Sequence, residues 1–143
     1  MNTLHAIVRG RPLYALQQHW TVLEAAQYMT EKNIGAAAVV QGDYVVGVFS
    51  ERDLMTRVVV AGRQAAQTLV SEVMTREVVA CAPTETHEAG LRQMQQAKCR
   101  HLPIVQEGQL LGFVSLRDLL QIELEEKDEE LRQISAYVHS TGY

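Results

Sequence analysis

Short, nearly continuous apolar runs occur in the second half of the chain and predict β-strands. One β-branched run, at residues 78–80, is closed by Pro83, which ends a strand and permits a turn. Two longer runs, at residues 101–106 and 110–114, flank a Glu-Gly pair at residues 107–108 that is typical of a tight hairpin turn. The pattern therefore predicts a lone strand, an interval of about helix length, and then a β-hairpin.

The interval between these strands has the periodicity of a helix. Leu91 and Met94 lie at helical spacing, and either Thr84 or Thr86 is suited to cap a helix that runs to about Lys98. Ser115, which follows the hairpin, is suited to cap a second helix. The whole unit reads strand–helix–strand–strand–helix.

The chain contains this unit twice, because the sequence matches itself without gaps at an offset of 65 positions. The first copy predicts strands at residues 13–16, 36–41 and 44–49, with helices at residues 22–32 and from Glu51. Identical pairs are Thr21 with Thr86, Met29 with Met94, Val40-Gln41 with Val105-Gln106, Gly47 with Gly112, Ser50 with Ser115, and Arg52-Asp53-Leu54 with Arg117-Asp118-Leu119.

The repeat predicts an α/β (α+β) fold of tandem β-α-β-β-α units related by a pseudo-two-fold axis. We place the first repeat at residues 1–66 and the second, with a C-terminal helix, at residues 67–143. The strands are short and almost wholly apolar, as expected where helices cover one face and the other repeat covers the remainder. Neither half is large enough to stand alone, so the two are expected to share a core.

The C-terminal segment differs in character from the rest. Residues 123–130 contain six acids and one lysine. An apolar stripe at helical spacing runs beside them. This stripe either packs on its own domain along a solvated helix or helps to form a homodimer; its members are Leu120, Leu124, Leu131, Ile134 and Val138.

Composition limits the class of protein and the compartment that we expect. Of 143 residues, 47% are hydrophobic, which is enough for a packed core, and the net charge of −4 lacks the basic footprint of a nucleic-acid-binding protein. No apolar run approaches the length of a membrane span, and the N-terminus does not resemble a signal peptide. Two cysteines, Cys81 and Cys99, are too few for a disulfide framework, so we expect a cytoplasmic protein.

The most informative motif is Gly-x-x-Ser-x-Arg-Asp, which ends at Asp53 in one repeat and at Asp118 in the other. Each copy places a hydroxyl at the end of a strand and a carboxylate three residues later, in the first turn of a helix. A capping box explains the Ser and the Asp. It does not explain the shared Arg, the Gly, or the recurrence at the same place in both repeats.

The same arrangement also suits a nucleotide. The N-terminus of a helix offers unpaired N–H groups to a phosphate, and a Ser hydroxyl adds one donor. A carboxylate accepts hydrogen bonds from both hydroxyls of a ribose, as in dinucleotide-binding folds. Arg52 and Arg117 offer planar forks for a phosphate, or they face water. An adenine would need an apolar slot, which the first strand of each repeat could supply.

With residues 100–105 (Arg-His-Leu-Pro-Ile-Val) preceding the second motif, the chain resembles a cystathionine β-synthase (CBS) domain pair, or Bateman module. Residues 50–63 and 70–75 are similar to the stand-alone bacterial and organellar pairs. The resemblance implies a regulatory, non-enzymatic module that binds AMP, ADP, ATP, NAD or S-adenosylmethionine between the repeats. It also implies a disc-shaped homodimer.

The resemblance carries roles to particular residues. It implies that Asp53 and Asp118 hold ribose, and that Ser50 and Ser115 lie on the phosphate side. By the same resemblance, Arg100 and His101 occupy positions that often reach the phosphate in this family. The base pockets would be lined by Leu13, Tyr14 and Ala15 in one repeat and by Val78, Val79 and Ala80 in the other.

The first repeat departs from this pattern. It has Gly35 and Ala36 where the second has Arg100 and His101, and two further alanines where the second has Leu102 and Pro103. A phosphate there must be met from elsewhere, for which Arg57, Arg11 and Arg9 are the candidates. We therefore predict firmer polar contacts at the second-repeat site.

The predicted function is a sensor of AMP, ADP, ATP or NAD(H) that signals to an unidentified protein target. One alternative is a ligand-free dimeric interaction scaffold in which the Ser-x-x-Asp elements only cap helices. A nucleotide hydrolase is disfavoured, because no general base or metal site is visible. The histidines show no metal-ligand clustering, and His87-Glu88 is interpreted as helix surface.

Overall fold

The computed structural model of the chain describes residues 3–140, and the side chains among them up to residue 138. The helices are α1 (Leu4–Val8), α2 (Val22–Lys32), α3 (Glu51–Asp53), α4 (Val70–Val73), α5 (His87–Ala97) and α6 (Leu116–Ser140). A π-helix, Leu54–Val59, continues α3, and a 3₁₀ turn spans Ala65–Gln67. The strands are β1 (Ala15–Gln17), β2 (Ala36–Gln41), β3 (Tyr44–Ser50), β4 (His101–Gln106) and β5 (Gln109–Ser115). The predicted mixed fold with an extended C-terminal helix is confirmed.

The five strands form one sheet in the order β1-β2-β3-β5-β4. β1 is parallel to β2, whereas the β2–β3 and β4–β5 pairs are antiparallel hairpins. The two hairpins meet through the pairing of Tyr44 with Gln109. A small apolar cluster of Ala38, Val40 and Leu110 fills the junction between the repeats.

Each repeat has its own core, and each core borrows a segment from outside its repeat. Leu4 and Val8 of α1 pack with Leu102 and Leu119 in the core of the second repeat. Val70 and Val73 of α4 pack with Leu16 and Phe49 in the core of the first. The chain therefore crosses between the repeats twice, and these crossings bring residues 11–14 and 75–79 to the boundary between them.

The repeated glycine of the motif permits these crossings. A Cβ added to Gly47 would lie 2.5 Å from Sδ of Met74 and 2.9 Å from the carbonyl oxygen of Thr75. A Cβ on Gly112, its counterpart, would lie 2.6 Å from Cβ of Val8. All three distances are shorter than side chains tolerate, so glycine is needed for the incoming segment to lie on the strand.

The strand predicted at residues 78–80 is wrong. Only Cys81 forms a bridge there, a parallel one to Ile104. Cys81 donates its N–H to the carbonyl of Pro103 at 3.0 Å and accepts from the N–H of Val105 at 2.8 Å. The ladder cannot extend back to Val79, because the N–H that would donate to its carbonyl belongs to position 103, where proline replaces Ala38 of the first repeat.

Candidate functional site

Two clefts lie between the repeats, and each contains one of the repeated aspartates. The first, the Asp118 cleft, has a volume of about 420 Å³. The second, the Asp53 cleft, has a volume of about 900 Å³. In each, the N-terminus of the helix after one hairpin faces the segment that the other repeat contributes. The expectation of inter-repeat clefts with an acid in each therefore has a structural counterpart.

The Asp118 cleft combines an apolar wall with a charged end. Leu13 and Tyr14 of the first repeat lie on the wall, together with Leu111 and Phe113 of β5. At the charged end, the N–H of Ser115 donates to Oδ2 of Asp118 (2.9 Å), and the N–H of Asp118 donates to Oγ of Ser115 (3.1 Å). Nη1 of Arg11 lies 3.1 Å from the same Oδ2.

These contacts set the charge state of Asp118. Partial burial alone would raise its pKa. The hydrogen bond from the backbone N–H of Ser115 and the guanidinium of Arg11 outweigh that effect, so the pKa of Asp118 lies below its ordinary value. The carboxylate is therefore ionised at neutral pH and acts only as an acceptor, which is the form that binds hydroxyls.

The Asp53 cleft has the same motif in a more polar setting. The N–H and Oγ of Ser50 both donate to Oδ2 of Asp53, at 3.0 and 3.2 Å. Oδ1 accepts from the hydroxyl of Thr75 at 3.3 Å and lies 3.6 Å from Nε of Arg57. Val78 and Val79 supply the apolar wall, and Arg52 and Arg100 are among the cations that line the cleft.

The reciprocal capping-box bonds are complete in the first repeat and have direct counterparts in the second. Capping thus accounts for the Ser and Asp of each motif, and close packing accounts for the Gly. Neither accounts for the recurrence of a cleft beside each carboxylate. The contacts of Asp118 with Arg11 and with the N–H of Ser115 both use Oδ2.

His101 lines both clefts. Its ring stacks on Phe113, with centroids 5.6 Å apart and planes 16° from parallel. Burial lowers the pKa of His101, although the charges of Asp118 and Glu51 oppose this, so the imidazole is neutral at pH 7. Gly35 and Ala36 also line both clefts.

Some predicted site residues lie elsewhere. Ala15, Ala80, Leu102 and Pro103 line neither cleft, and Arg117 lines a shallower depression beside α6. Arg57 also lines neither cleft, and its guanidinium donates to the carbonyls of Val73 and Met74 at 3.3 and 3.0 Å.

Sequence reasoning missed several lining residues. Phe113 and Leu111 line the Asp118 cleft, and Thr75, Lys98 and Cys99 line the Asp53 cleft. Leu111 and Phe113 alternate along β5, which is a usable signal once the strand is known. Thr75 had no such signal, because it reaches Asp53 through the chain crossing. Of the three arginine candidates, Arg11 is the one that lines the Asp118 cleft.

Comparison with known proteins identifies the family. The profile of the CBS domain matches residues 8–60 and again residues 70–125. The chain therefore belongs to the CBS domain family, with two CBS domains in tandem. CBS domains are regulatory modules that often bind adenosine ligands.

Individual relatives agree with this assignment. The chain is 40% identical over 99 residues to the CBS domain-containing protein YhcV of Bacillus subtilis. This alignment covers 69% of this chain and 70% of YhcV. It is 30% identical over 128 residues to the mitochondrial CBS domain-containing protein CBSX3 of Arabidopsis thaliana, which covers 86% of this chain. The matched region spans only 62% of CBSX3.

Solved structures share the fold. A CBS-domain protein of Burkholderia ambifaria superposes with a TM-score of 0.79 at 32% identity, over 87% of this chain and 95% of that one. The CBS domain pair of protein MJ0100, solved with 5′-methylthioadenosine and S-adenosyl-L-methionine, superposes with a TM-score of 0.76 at 19% identity, over 87% and 98% of the two chains.

Within the described residues of the present chain, no helix has the length and apolarity needed to cross a bilayer.

Proposed function

We propose that this CBS pair binds adenosine nucleotides (AMP, ADP, ATP or NAD(H)) in its two clefts and reports their level to a partner protein. The observation that supports this most strongly is the duplicated juxtaposition of an aspartate with an apolar wall from the other repeat. A carboxylate at this place accepts the two ribose hydroxyls, and the wall covers the base.

In the Asp118 cleft, Leu13 and Tyr14 would cover the adenine and Asp118 would hold the ribose. Ser115 and the N-terminus of α6 would face the phosphate. Arg11 supplies the cation that Gly35 and Ala36 cannot, and its planar fork matches a phosphate.

In the Asp53 cleft, Val78 and Val79 would cover the base and Asp53 the ribose. Ser50, Arg52, Arg100 and His101 would surround the phosphates. Because this cleft is larger, we assign the longer nucleotides to it. Its cations are balanced by as many carboxylates, those of Glu51, Asp53 and Glu77. Ala15, Ala80, Leu102, Pro103, Arg57 and Arg117 remain candidate ligand residues that support the walls or the rims.

The mode of signalling follows from the location of the clefts. A ligand that contacts both repeats stabilises one relative arrangement of them, and a partner that prefers this arrangement responds to the ligand. We further propose that the first repeat (residues 1–66) and the second (residues 67–143) are the two moving units within a cytoplasmic homodimer. Helix α1 would move with the second repeat and α4 with the first, because each packs into that core.

One observation favours a ligand-free interaction scaffold instead. Both carboxylates are already engaged by capping bonds and by arginine, so they are satisfied without a nucleotide. The exposed apolar residues of α6, among them Leu124, Leu131 and Ile134, would then be the functional surface.

Calorimetric titration with AMP, ATP and NADH separates the two functions. We expect the wild-type chain to bind at least one of them, and Asp53→Asn and Asp118→Asn each to remove binding at one cleft. Glu24→Gln is the matched control, because Glu24 and Thr21 form a capping box on α2 that lines neither cleft. Because glutamine can take the same position in a capping box, this substitution should change stability little and leave binding intact. Absence of binding to all three compounds would favour the scaffold.

A further inference from the structure

A second polar cluster lies outside both clefts, where the start of α5 packs against α6. The imidazole of His87 is fully buried, which corrects its interpretation as helix surface. Its Nε2 lies 2.9 Å from Oε2 of Glu123 and 3.5 Å from Oε2 of Glu126. Glu88 is close enough that ligand atoms of His87, Glu88 and Glu126 all lie within 4.8 Å of one another. One imidazole and three carboxylates therefore converge from two helices.

The first repeat shows what the fold requires at this position. The residues 65 positions before His87 and Glu123 are Val22 and Val58. Both valines are buried and belong to one core cluster. An apolar pair is thus sufficient for folding, and the polar pair of the second repeat needs another explanation.

The polar pair is also poorly satisfied by itself. A neutral imidazole has one N–H, and donating it from Nε2 to Glu123 leaves Nδ1 buried without a hydrogen-bond partner among the described residues. Glu126 then faces the same nitrogen, and three carboxylates share a small region, where like charges repel. A cation at Nε2 would neutralise the charge of these carboxylates. The imidazole proton would then lie on Nδ1, which stays buried without a hydrogen-bond partner among the described residues.

We propose that Nε2 of His87 and the carboxylates of Glu88, Glu123 and Glu126 bind a divalent first-row transition metal ion, with Zn²⁺ and Mn²⁺ as the candidates. Nitrogen and oxygen ligands lie about 2.0–2.2 Å from such ions, so two ligands of one ion are at most about 4.4 Å apart. The ligand atoms of His87, Glu88 and Glu126 already lie within 4.8 Å of one another, so only small shifts are needed to meet this limit. The imidazole favours a transition metal over Mg²⁺ or Ca²⁺.

Such a site joins α5 to α6, so metal binding stabilises the folded chain. After treatment with EDTA and its removal, thermal unfolding of the wild-type chain is measured with increasing Zn²⁺ or Mn²⁺. We expect the midpoint to rise with metal concentration. With Co²⁺ as the probe, we expect visible absorption bands that Zn²⁺ displaces.

The comparison of the two repeats suggests the most informative variant. His87→Val with Glu123→Val copies the pair found in the first repeat and should abolish both signals. Glu126→Gln keeps the bond between His87 and Glu123, and should weaken binding about tenfold or more even if the double variant folds poorly. Glu129→Gln is the matched control on the same helix, where Glu129 contacts Arg132, and should bind as the wild type does.

Two outcomes would overturn the proposal. One is an unchanged midpoint for the wild-type chain in about 1 mM Zn²⁺ or Mn²⁺, a concentration that detects even weak binding. The other is equal binding by the wild type and Glu126→Gln. Either would leave the contact between His87 and Glu123 as an interhelical hydrogen bond only.

Discussion

Arg11 of the first repeat and Asp118 of the second form an ion pair across the Asp118 cleft, with Nη1 3.1 Å from Oδ2. In the first repeat the cation comes from the same helical segment as the aspartate, because Asp53 is approached by Arg57. The residue equivalent to Arg11 is Arg76, which instead donates to the carbonyl of Ser71 at 2.7 Å. Each cleft therefore has an aspartate at the same position of the motif, but the two clefts differ in the arginine that approaches it.

Arg11→Ala should weaken the binding of AMP to the Asp118 cleft about tenfold, while adenosine binding changes much less, because the lost interaction is with the phosphate. Calorimetry with both compounds measures this difference. Arg76→Ala is the matched control and should bind AMP as the wild type does. An equal loss for AMP and adenosine would show that Arg11 acts only by positioning Asp118.

Acid unfolding should report the environment of Asp118. Because the folded-state pKa lies below the ordinary 3.8, the unfolded chain takes up a proton first as the pH falls. The stabilisation is thus complete above that range and disappears as the pH drops through the folded-state value. Urea unfolding should show a stability gap between wild type and Asp118→Asn at pH 6 that narrows below about pH 4. A gap independent of pH would contradict the ionised assignment.

Nucleotide binding should be coupled to protonation of His101. Its pKa is lowered in the free chain, mainly by burial, and a nearby phosphate dianion would raise it. The complex then binds more protons than the free chain, so affinity for AMP should increase as the pH falls from about 8 to about 6. Titrations across this range test the coupling, and His101→Gln should flatten the profile. Adenosine, which has no phosphate, should show little dependence in either protein.

The two cysteines should differ in reactivity. Cys81 is buried, and burial raises the pKa of its thiol to about 12, whereas Cys99 is half-buried and lines the Asp53 cleft. Iodoacetamide labelling followed by mass spectrometry should modify Cys99 first. A nucleotide in the Asp53 cleft should slow that labelling, and Asp53→Asn should remove the protection. Unchanged labelling of Cys99 at saturating nucleotide would contradict occupancy of this cleft.

The sequence predicted the positions of the repeated Ser and Asp because each cap is a local structure over four residues. The hairpins were predicted for the same reason, with β4 beginning and ending as expected at His101 and Gln106. Local patterns also resolve the cap of α5, where Thr86 rather than Thr84 accepts from the N–H of Ala89.

Long-range contacts explain what the sequence did not predict. The strand expected at residues 78–80 is lost because Pro103, on another strand, cannot donate to it. Thr75 reaches Asp53 only because α4 packs into the core of the other repeat. His87 is buried by contact with α6, and its partner there, Glu123, is 36 positions away along the chain. No local pattern carries this information.

The central claim is that the duplicated carboxylates bind ribose, and a crystal structure of the chain grown with AMP tests it most directly. The account predicts an AMP molecule in at least one cleft, with both ribose hydroxyls within about 3 Å of the carboxylate of Asp118 or Asp53. Density for AMP elsewhere, or occupied clefts in which both carboxylates keep only their capping and arginine contacts, would contradict it.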